Sequence, residues 1–551
     1  MPAILPSTEI PIARQKEAPI RLLAIGDIGS VDAYHVGDES MLLGLIQGVA
    51  ACGIDAEWTL MSAHPERSSD RFGVRAVPRL AFGDCAGPAE RELRLAELNT
   101  ILAEPPTRWS LMAPPRWRAA LDAIAGTNAV VIAGGGNLSR SWPEQVFERT
   151  AVVRAARRAG RPVAITGQTI GPAFDGRTRE LAAEALAGCV FVGVREEPSY
   201  RLALELGVPP ERTALQFDEA ISLEGVEPHG SAEIVGEGPF ITVTLSPIGD
   251  VSDPARIVPR LAAQLAELGR VTGAAVVLVP HVGDLEGARV HDVAMAGAVV
   301  AAAGDSPALR MAPLPSPEEA VWYCRHAQLV VSTRYHPMVF ALAASTPALF
   351  LYQDRYTLVK GQGALALVGL EGWTVSVGLA ASGLLVPAAR ELWGRREAVR
   401  EHLRGLEPTI EKSRSRHISA LLAALIPARR PPASVEAMIP RCGPSPEGDW
   451  VESARVGLAM LDNWQVEREA MEGQLALLER RASTAEQWAG VLAEEIRRKE
   501  ADLVDAHAAL AKLRQANWTM RVRRWLRRLD AAIPPLRRER PHRDRSAGKG
   551  T

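Results

Sequence analysis

Arg334 and His336 stand at the junction of two contrasting stretches. Before them, Gln328-Leu329-Val330-Val331 is an apolar run of the kind that forms a buried parallel strand. After them, Met338-Val339-Phe340-Ala341-Leu342 reads as the start of a helix, with Pro337 tolerated in its first turn. Open α/β sheets bind ligands at the C-terminal ends of their strands. An arginine placed there matches a carboxylate or phosphate with two parallel hydrogen bonds. A histidine there can carry a proton at neutral pH. Ser332 shares the same turn. The chemistry suggested is an anionic substrate and an acid–base step.

The layout recurs along the chain. Gly26-Asp27-Ile28-Gly29-Ser30 follows the first apolar run, and Val36-Gly37-Asp38-Glu39-Ser40 opens the first strong helical pattern. Gly37 would let the backbone approach a ligand, and Asp38 could take a proton from a hydroxyl or simply cap the helix. Gly134, Gly135 and Gly136, with Asn137, follow another apolar run and would turn backbone N–H groups toward a ligand; a tight turn alone also explains them. Gln168 and Gly171 follow the next run, and Gln168 both donates and accepts. Arg195 and Ser199 repeat the arrangement, with a surface salt bridge to Glu196 or Glu197 as the plainer reading of Arg195. Asp218, His281 and Lys360 take similar places. The shared position of these residues is the argument, because polar strand ends gather on the side where a cleft opens.

The elements that must position them alternate. Strands are expected at 22–25, 57–61, 129–133, 163–166, 191–194 and 215–217, with helical patterns between several of them. A Gly/Glu/Pro-rich interval at 224–238 interrupts. Strands are expected again at 240–245, 275–279, 309–311, 329–331 and 348–351, then helices over 392–406 and 412–425. Alternation of this kind means parallel sheets covered on both faces. The expected fold is α/β, with two Rossmann-like domains, 20–230 and 231–426, on either side of a central cleft. A loose N-terminus, 1–19, precedes them. A Pro/Arg-rich linker follows at 427–448. From 449 to 515 apolar residues recur at steps of three and four, including Trp464, Met471, Leu475, Leu478, Leu492, Ile496 and Leu510. Arg468 and Lys499 interrupt this heptad seam, which predicts a coiled-coil helix and a homo-oligomer. The tail, 516–551, mixes Trp518, Val522, Trp525 and Leu526 with arginines at helical spacing, a pattern suited to an anionic membrane surface.

The 551 residues are too many for one ordinary domain. Net charge of −2 gives no global field for nucleic acid, and no nucleic-acid partner is expected. The five cysteines are scattered, with no metal-ligand spacing and no disulfide framework. Reduced thiols, no secretory leader and no transmembrane run together predict a cytoplasmic protein, and the basic tail adds either peripheral contact with the inner face of the cell membrane or a solvated or partner-binding segment. No metal is expected.

The ordered series Gly37-Asp38-Glu39-Ser40, Gly134-Gly135-Gly136-Asn137-Leu138, Gly167-Gln168, Ile170-Gly171-Pro172, Val194-Arg195, Ser199, Leu206-Gly207-Val208, Asp218-Glu219-Ala220 and Arg334-Tyr335-His336-Pro337 resembles the polysaccharide pyruvyltransferases. The resemblance runs from about residue 21 to about residue 375. Tyr335 departs from it, since a leucine usually stands between the arginine and the histidine. It implies a fold like that of two-domain GT-B glycosyltransferases. It also implies phosphoenolpyruvate as donor substrate with no cofactor, and as acceptor a glycan or lipid-linked oligosaccharide that receives a pyruvate ketal. Arg334 and Arg195, with Lys360, would hold the donor, His336 would be the acid and Asp38 the base. Two other readings stay open: a sugar-nucleotide glycosyltransferase on the same architecture, and a non-catalytic scaffold of a glycan-assembly complex.

Overall fold

A computed structural model describes residues 19–29, 34–248, 254–283, 291–304, 306–426, 442–481, 495 and 498–503. Contacts divide the chain into two units, Met1–Gln465 and Val466–Thr551, and both sheets lie in the first.

The strands of the first half are β1 (Ile20–Ile25), β2 (Tyr34–His35), β3 (Ala56–Ser62), β4 (Arg75–Pro78), β5 (Ala129–Ile132), β6 (Gly135–Leu138), β7 (Val163–Ile170), β8 (Phe191–Val194) and β9 (Thr213–Leu215). All but β2 form one parallel sheet in the order β4-β3-β1-β5-β7-β8-β9, with β6 paired to β7. The strands of the second half are β10 (Phe240–Thr244), β11 (Ala275–Leu278), β12 (Val282–Gly283), β13 (Leu309–Met311), β14 (Leu329–Ser332), β15 (Ala348–Tyr352) and β16 (Thr374–Ser376). These, apart from β12, form a second parallel sheet in the order β13-β11-β10-β14-β15-β16. The strand order reverses between β1 and β5 in one sheet and between β10 and β14 in the other. Those two reversals are the places where loops splay apart and leave room for a ligand.

Side chains on β1 alternate between faces, as a strand buried on both sides requires. Leu23 and Ile25 join a core with the helices Pro88–Leu102, Pro115–Gly126 and Pro143–Arg158. Leu22 and Ala24 join an opposite core with Leu42, Leu45 and Val49 of the helix Val36–Ala51. That second core also contains Ile418, Leu421, Leu422 and Leu425 from the far end of the chain. They belong to a single helix, Arg396–Leu425, which corrects the expectation of a break between residues 406 and 412. Pro408 lies inside this helix, but Leu403, Leu406 and Ile410 are buried around it in the second sheet's core. Packing on both sides of Pro408 outweighs the lost backbone bond, each buried leucine contributing roughly 1.5–3 kcal/mol. One helix is thereby fastened to both sheets.

Other expectations shift at their edges. Gly135–Leu138 is a strand rather than a turn, because the β7 edge offers it hydrogen-bonding partners. The strand expected at 215–217 ends at Leu215, with Gln216 and Phe217 following it toward a 3-10 turn. Residues 442–448 are docked rather than loose: the Trp373 indole donates to the Pro444 carbonyl at 2.8 Å, and Glu391 accepts from the Glu447 and Gly448 amides at 2.7 and 2.9 Å. The next helix begins at Trp450, and its first turns bury Trp450 and Ala454 in the second sheet's core. The segment 1–18, most of the linker, residues 482–494, 496–497 and 504–515 of the heptad seam, and the basic tail lie outside the described residues.

Gly44, on the Val36–Ala51 helix, packs directly on the backbone carbonyl of Glu219, where a Cβ would collide. Gly44→Ala is expected to destabilise by about 1–3 kcal/mol in denaturant titrations. Gly405→Ala, in open space on the long helix, is expected to stabilise by up to about 1 kcal/mol.

Candidate active site

The segment Tyr34–His35 pairs antiparallel with Val282–Gly283, and the Val36 amide donates to the His281 carbonyl at 3.0 Å. This bridge joins a loop of the first sheet to a loop of the second. It sets the N-terminus of the Val36–Ala51 helix against the turn after β14. Gly37 faces the His336 ring so closely that a Cβ would overlap the imidazole. His336 opens the helix Tyr335–Ala343, and the Tyr335 ring stands on edge against it at 5.1 Å. Its Nε2 lies 3.8 Å from Asp218 Oδ2 and has no hydrogen-bond partner. Burial, then the charges of Arg195 and Lys360, holds this imidazole well below the ordinary histidine range, so it is neutral at pH 7.

Three cations converge here, and they are compensated differently. Arg195, at the end of β8, is 1% exposed. It donates to Asp218 Oδ2 at 2.7 Å and to Thr169 Oγ1 at 3.0 Å, and its guanidinium lies 4.1 Å over the Tyr335 ring. It is not a surface salt bridge, and Glu196 approaches it only to 3.8 Å. Arg334 grips Asp292 with two bonds, 3.1 and 2.6 Å, while 30% of its side chain stays exposed. Asp292 also accepts from the His281 amide at 3.1 Å. Lys360 is different. Its Nζ donates to the Tyr356 hydroxyl at 3.3 Å and faces the rings of Tyr356 and Tyr335 at 4.7 and 5.8 Å. Among the described residues no carboxylate forms a salt bridge with it. Burial and the neighbouring Arg195 bring its pKa down to about 8.

Asp38 lies in the first turn of its helix, 3.4 Å from His35 Nδ1. It does not cap that helix, whose N-cap is His35. Burial and the nearby Asp27 push its carboxyl up to about 7, against the pull of Lys360 and Arg195. Asp27 behaves oppositely. Burial alone would raise it, but Arg149 at 2.9 Å and Arg79 at 3.4 Å draw it below the usual carboxylate range. Glu148 completes this network by pairing with Arg149 at 3.0 Å and with Arg79.

The remaining expected residues divide into two groups. Gly136 lies beneath Tyr356 and Lys360, which occupy the space a Cβ would fill, and Gly134 backs onto Met41. His281 is fully buried against Phe340 with both ring nitrogens unpartnered; burial and Arg334 hold it neutral. These stand with His336, Arg334, Arg195, Asp218, Asp38, Gly37 and Lys360. The others serve the framework. Asn137 donates to Asp27, and Gln168 donates to Asn137 and to the Gly135 carbonyl, both at 2.9 Å. Ser199 accepts from the Ile170 amide at 2.8 Å, the Gly171 amide bonds the Leu138 carbonyl, and Ser332 accepts from the Arg334 amide at 2.8 Å. Three participants were not singled out from the sequence: Asp27, Asp292 and Tyr356. Asp27 follows β1 at the reversal point, and Tyr356 stands one helical turn before Lys360, so both had a positional signal. Asp292 had none.

Among the described residues no cluster of His, Cys, Asp or Glu is arranged to hold a metal ion, and no helix is long and apolar enough to cross a membrane. The family model for polysaccharide pyruvyl transferase matches residues 35–355, which spans the site from His35 to Arg334. No curated protein matches the chain. Among solved structures, a proposed UDP-N-acetylglucosamine 2-epimerase from Listeria monocytogenes is similar at 12% identity and a TM-score of 0.51, over 75% of this chain and 99% of that one. A second UDP-N-acetylglucosamine 2-epimerase is similar at 10% identity and a TM-score of 0.51, over 76% and 99%. Both likenesses concern the GT-B-like α/β fold with its parallel sheets.

An ammonium that titrates near 8 in an anion site has a measurable signature. Sulfate, which does not itself titrate in this range, is expected to bind about tenfold more weakly at pH 9 than at pH 7, as Lys360 loses its proton. Lys360→Met is expected to remove that pH dependence in calorimetric titrations. Equal affinity at both pH values in the unaltered protein would contradict the assignment.

Proposed function

The chain belongs to the polysaccharide pyruvyl transferase family, and from that premise we propose that it moves the pyruvate carbons of phosphoenolpyruvate onto two hydroxyls of one sugar, closing a ketal and releasing phosphate. The acceptor in this reading is a cell-surface polysaccharide or its lipid-linked precursor. The observation that carries the reading is Lys360, a half-buried ammonium with no carboxylate partner among the described residues, placed over Tyr335 beside Arg195 and His336. Phosphoenolpyruvate brings a carboxylate and a phosphate, and such a pocket gains most from an anion that supplies the missing charge. Arg334 offers its exposed edge as the second contact, while Asp292 fixes its plane. Arg195 then acts through field and position, since Asp218 and Tyr335 already engage it.

The proton inventory follows from the charges. Burial, Arg195 and Lys360 keep His336 neutral. A bound trianion offsets the two cations and lets the imidazole take up a proton. His336 gives that proton to C3 of the donor, which becomes a methyl group and leaves C2 electron-poor. A sugar hydroxyl adds to C2 and gives its proton to Asp38, whose pKa of about 7 suits a general base. The C2–O bond to phosphate breaks, with the electron pair leaving on the phosphate oxygen. A second hydroxyl of the same sugar adds to C2 and closes the ketal. Of the two hydroxyl protons lost, one balances the proton now on the methyl group and the other leaves with phosphate. No metal and no cofactor is needed to balance these steps. In the same reading, the heptad segment within 449–515 pairs copies of the chain, and the basic segment 516–551 brings the enzyme to the anionic inner face of the membrane, where a lipid-linked acceptor resides.

Calorimetry of phosphoenolpyruvate at pH 6, in buffers of different ionisation enthalpy, tests the proton step. Binding to the unaltered protein is expected to take up close to one proton more than binding to His336→Gln. Equal proton uptake in the two proteins would remove His336 as the acid. His336→Ala is expected to lower turnover by about 100-fold or more. Gly37→Ala, whose methyl group would displace the imidazole, is expected to lower turnover to a similar degree while thermal unfolding shows a folded protein.

A further inference from the structure

Trp142 is the one aromatic among the large apolar side chains that stand exposed in the described residues, with 47% of its surface open. An aromatic face open to solvent offers a large, stiff apolar surface to a ligand. This one is held in place. Its amide donates to the Ser139 carbonyl at 3.1 Å, and its own carbonyl accepts from Gln145 and Val146 at 3.0 and 3.2 Å. Pro143 follows it at the start of the helix Pro143–Arg158. The indole lies beside the Tyr356 hydroxyl. That hydroxyl donates to the Gly136 carbonyl and accepts from Lys360 at 3.3 Å. Trp142 thus stands beside the Tyr356 hydroxyl, which accepts from the Lys360 ammonium, and much of its surface is open to solvent.

We propose that Trp142 is the platform on which a pyranose ring of the acceptor stacks, with its reacting hydroxyls turned toward the cleft at Lys360. A pyranose presents a face of C–H groups that suits a rigid aromatic plane, while its hydroxyls remain free at the ring edge. Tryptophan supplies large contact area with little rotamer entropy to lose. Gly136 keeps the floor between platform and ammonium free of any side chain of its own. The assignment rests on the sugar-acceptor half of the reading above and is independent of the donor's identity. Stacking on C–H groups tolerates changes in hydroxyl stereochemistry, so Trp142 sets the position of a sugar more than its type.

The test uses the full chain labelled with 5-fluorotryptophan and fluorine NMR. Trp142→Phe identifies the Trp142 resonance among those of the 12 tryptophans. Methyl glucopyranoside, methyl galactopyranoside, methyl mannopyranoside and UDP are titrated separately, each with and without phosphoenolpyruvate. The Trp142 resonance is expected to shift with at least one glycoside, and Trp142→Ala is expected to weaken that glycoside's binding at least about fivefold by calorimetry. A Trp142 resonance unmoved by all three glycosides, while phosphoenolpyruvate still binds, would overturn the platform and leave the donor reading intact. A shift with UDP but with no glycoside would also overturn it, in favour of base stacking. A glycoside shift in a protein that does not bind phosphoenolpyruvate would support the platform and sink the donor assignment instead.

Discussion

The ion pair between Arg195 and Asp218, sealed under the Tyr335 ring, is the interaction on which the site depends. Both partners are out of water, and a buried charge that loses its partner costs about 3–5 kcal/mol. Asp218 comes from the segment after β9 and Arg195 from the end of β8, while Tyr335 comes from the second sheet's helix, so the pair is covered only when the two sheets' loops are in contact. Arg334 repeats the device with Asp292. Two of three cations are thereby neutralised by carboxylates and fixed in position. Lys360 forms no salt bridge with a carboxylate among the described residues and feels Asp38 and Glu196 only at longer range. Burial, with Arg195 and this ammonium, keeps the His336 imidazole without its proton.

Close approach of backbones makes this geometry attainable. The short strand pair Tyr34–His35 with Val282–Gly283 ties the loops together. Gly37 and Gly136 then admit His336 on one side and the Tyr356–Lys360 pair on the other. The helix Arg396–Leu425 fastens the same two sheets, burying leucines in both cores. The glycines of the motifs thus act mainly by making room for side chains from the opposite sheet.

Much of this was legible in the residues. The apolar runs marked most central strands, and the polar residues at their ends marked the ligand side, because a parallel sheet buries everything else. Arg334, His336, Arg195, Asp38 and Lys360 followed from that rule. The rule does not say which polar end meets substrate and which meets protein. Asn137 and Gln168 have amide groups suited to a ligand, yet they bond each other and Asp27. Ser332 and Ser199 hold turns. Asp292 follows no expected strand, and its role is set by Arg334, which lies far from it in sequence. Short edge strands such as β4 and β16 had too few residues for a periodic signal, and the continuity of the helix through Pro408 depends on packing partners that local propensity does not include.

The most direct measurement of the central claim is a calorimetric comparison of phosphoenolpyruvate with UDP-N-acetylglucosamine, each titrated into the unaltered protein and into Lys360→Met. If Lys360 is the open end of a donor site, phosphoenolpyruvate binds, its affinity collapses in the variant, and the nucleotide sugar binds weakly or not at all. Tight binding of the nucleotide sugar with silence toward phosphoenolpyruvate would contradict the pyruvyl-transfer reading and assign the cleft to sugar-nucleotide chemistry.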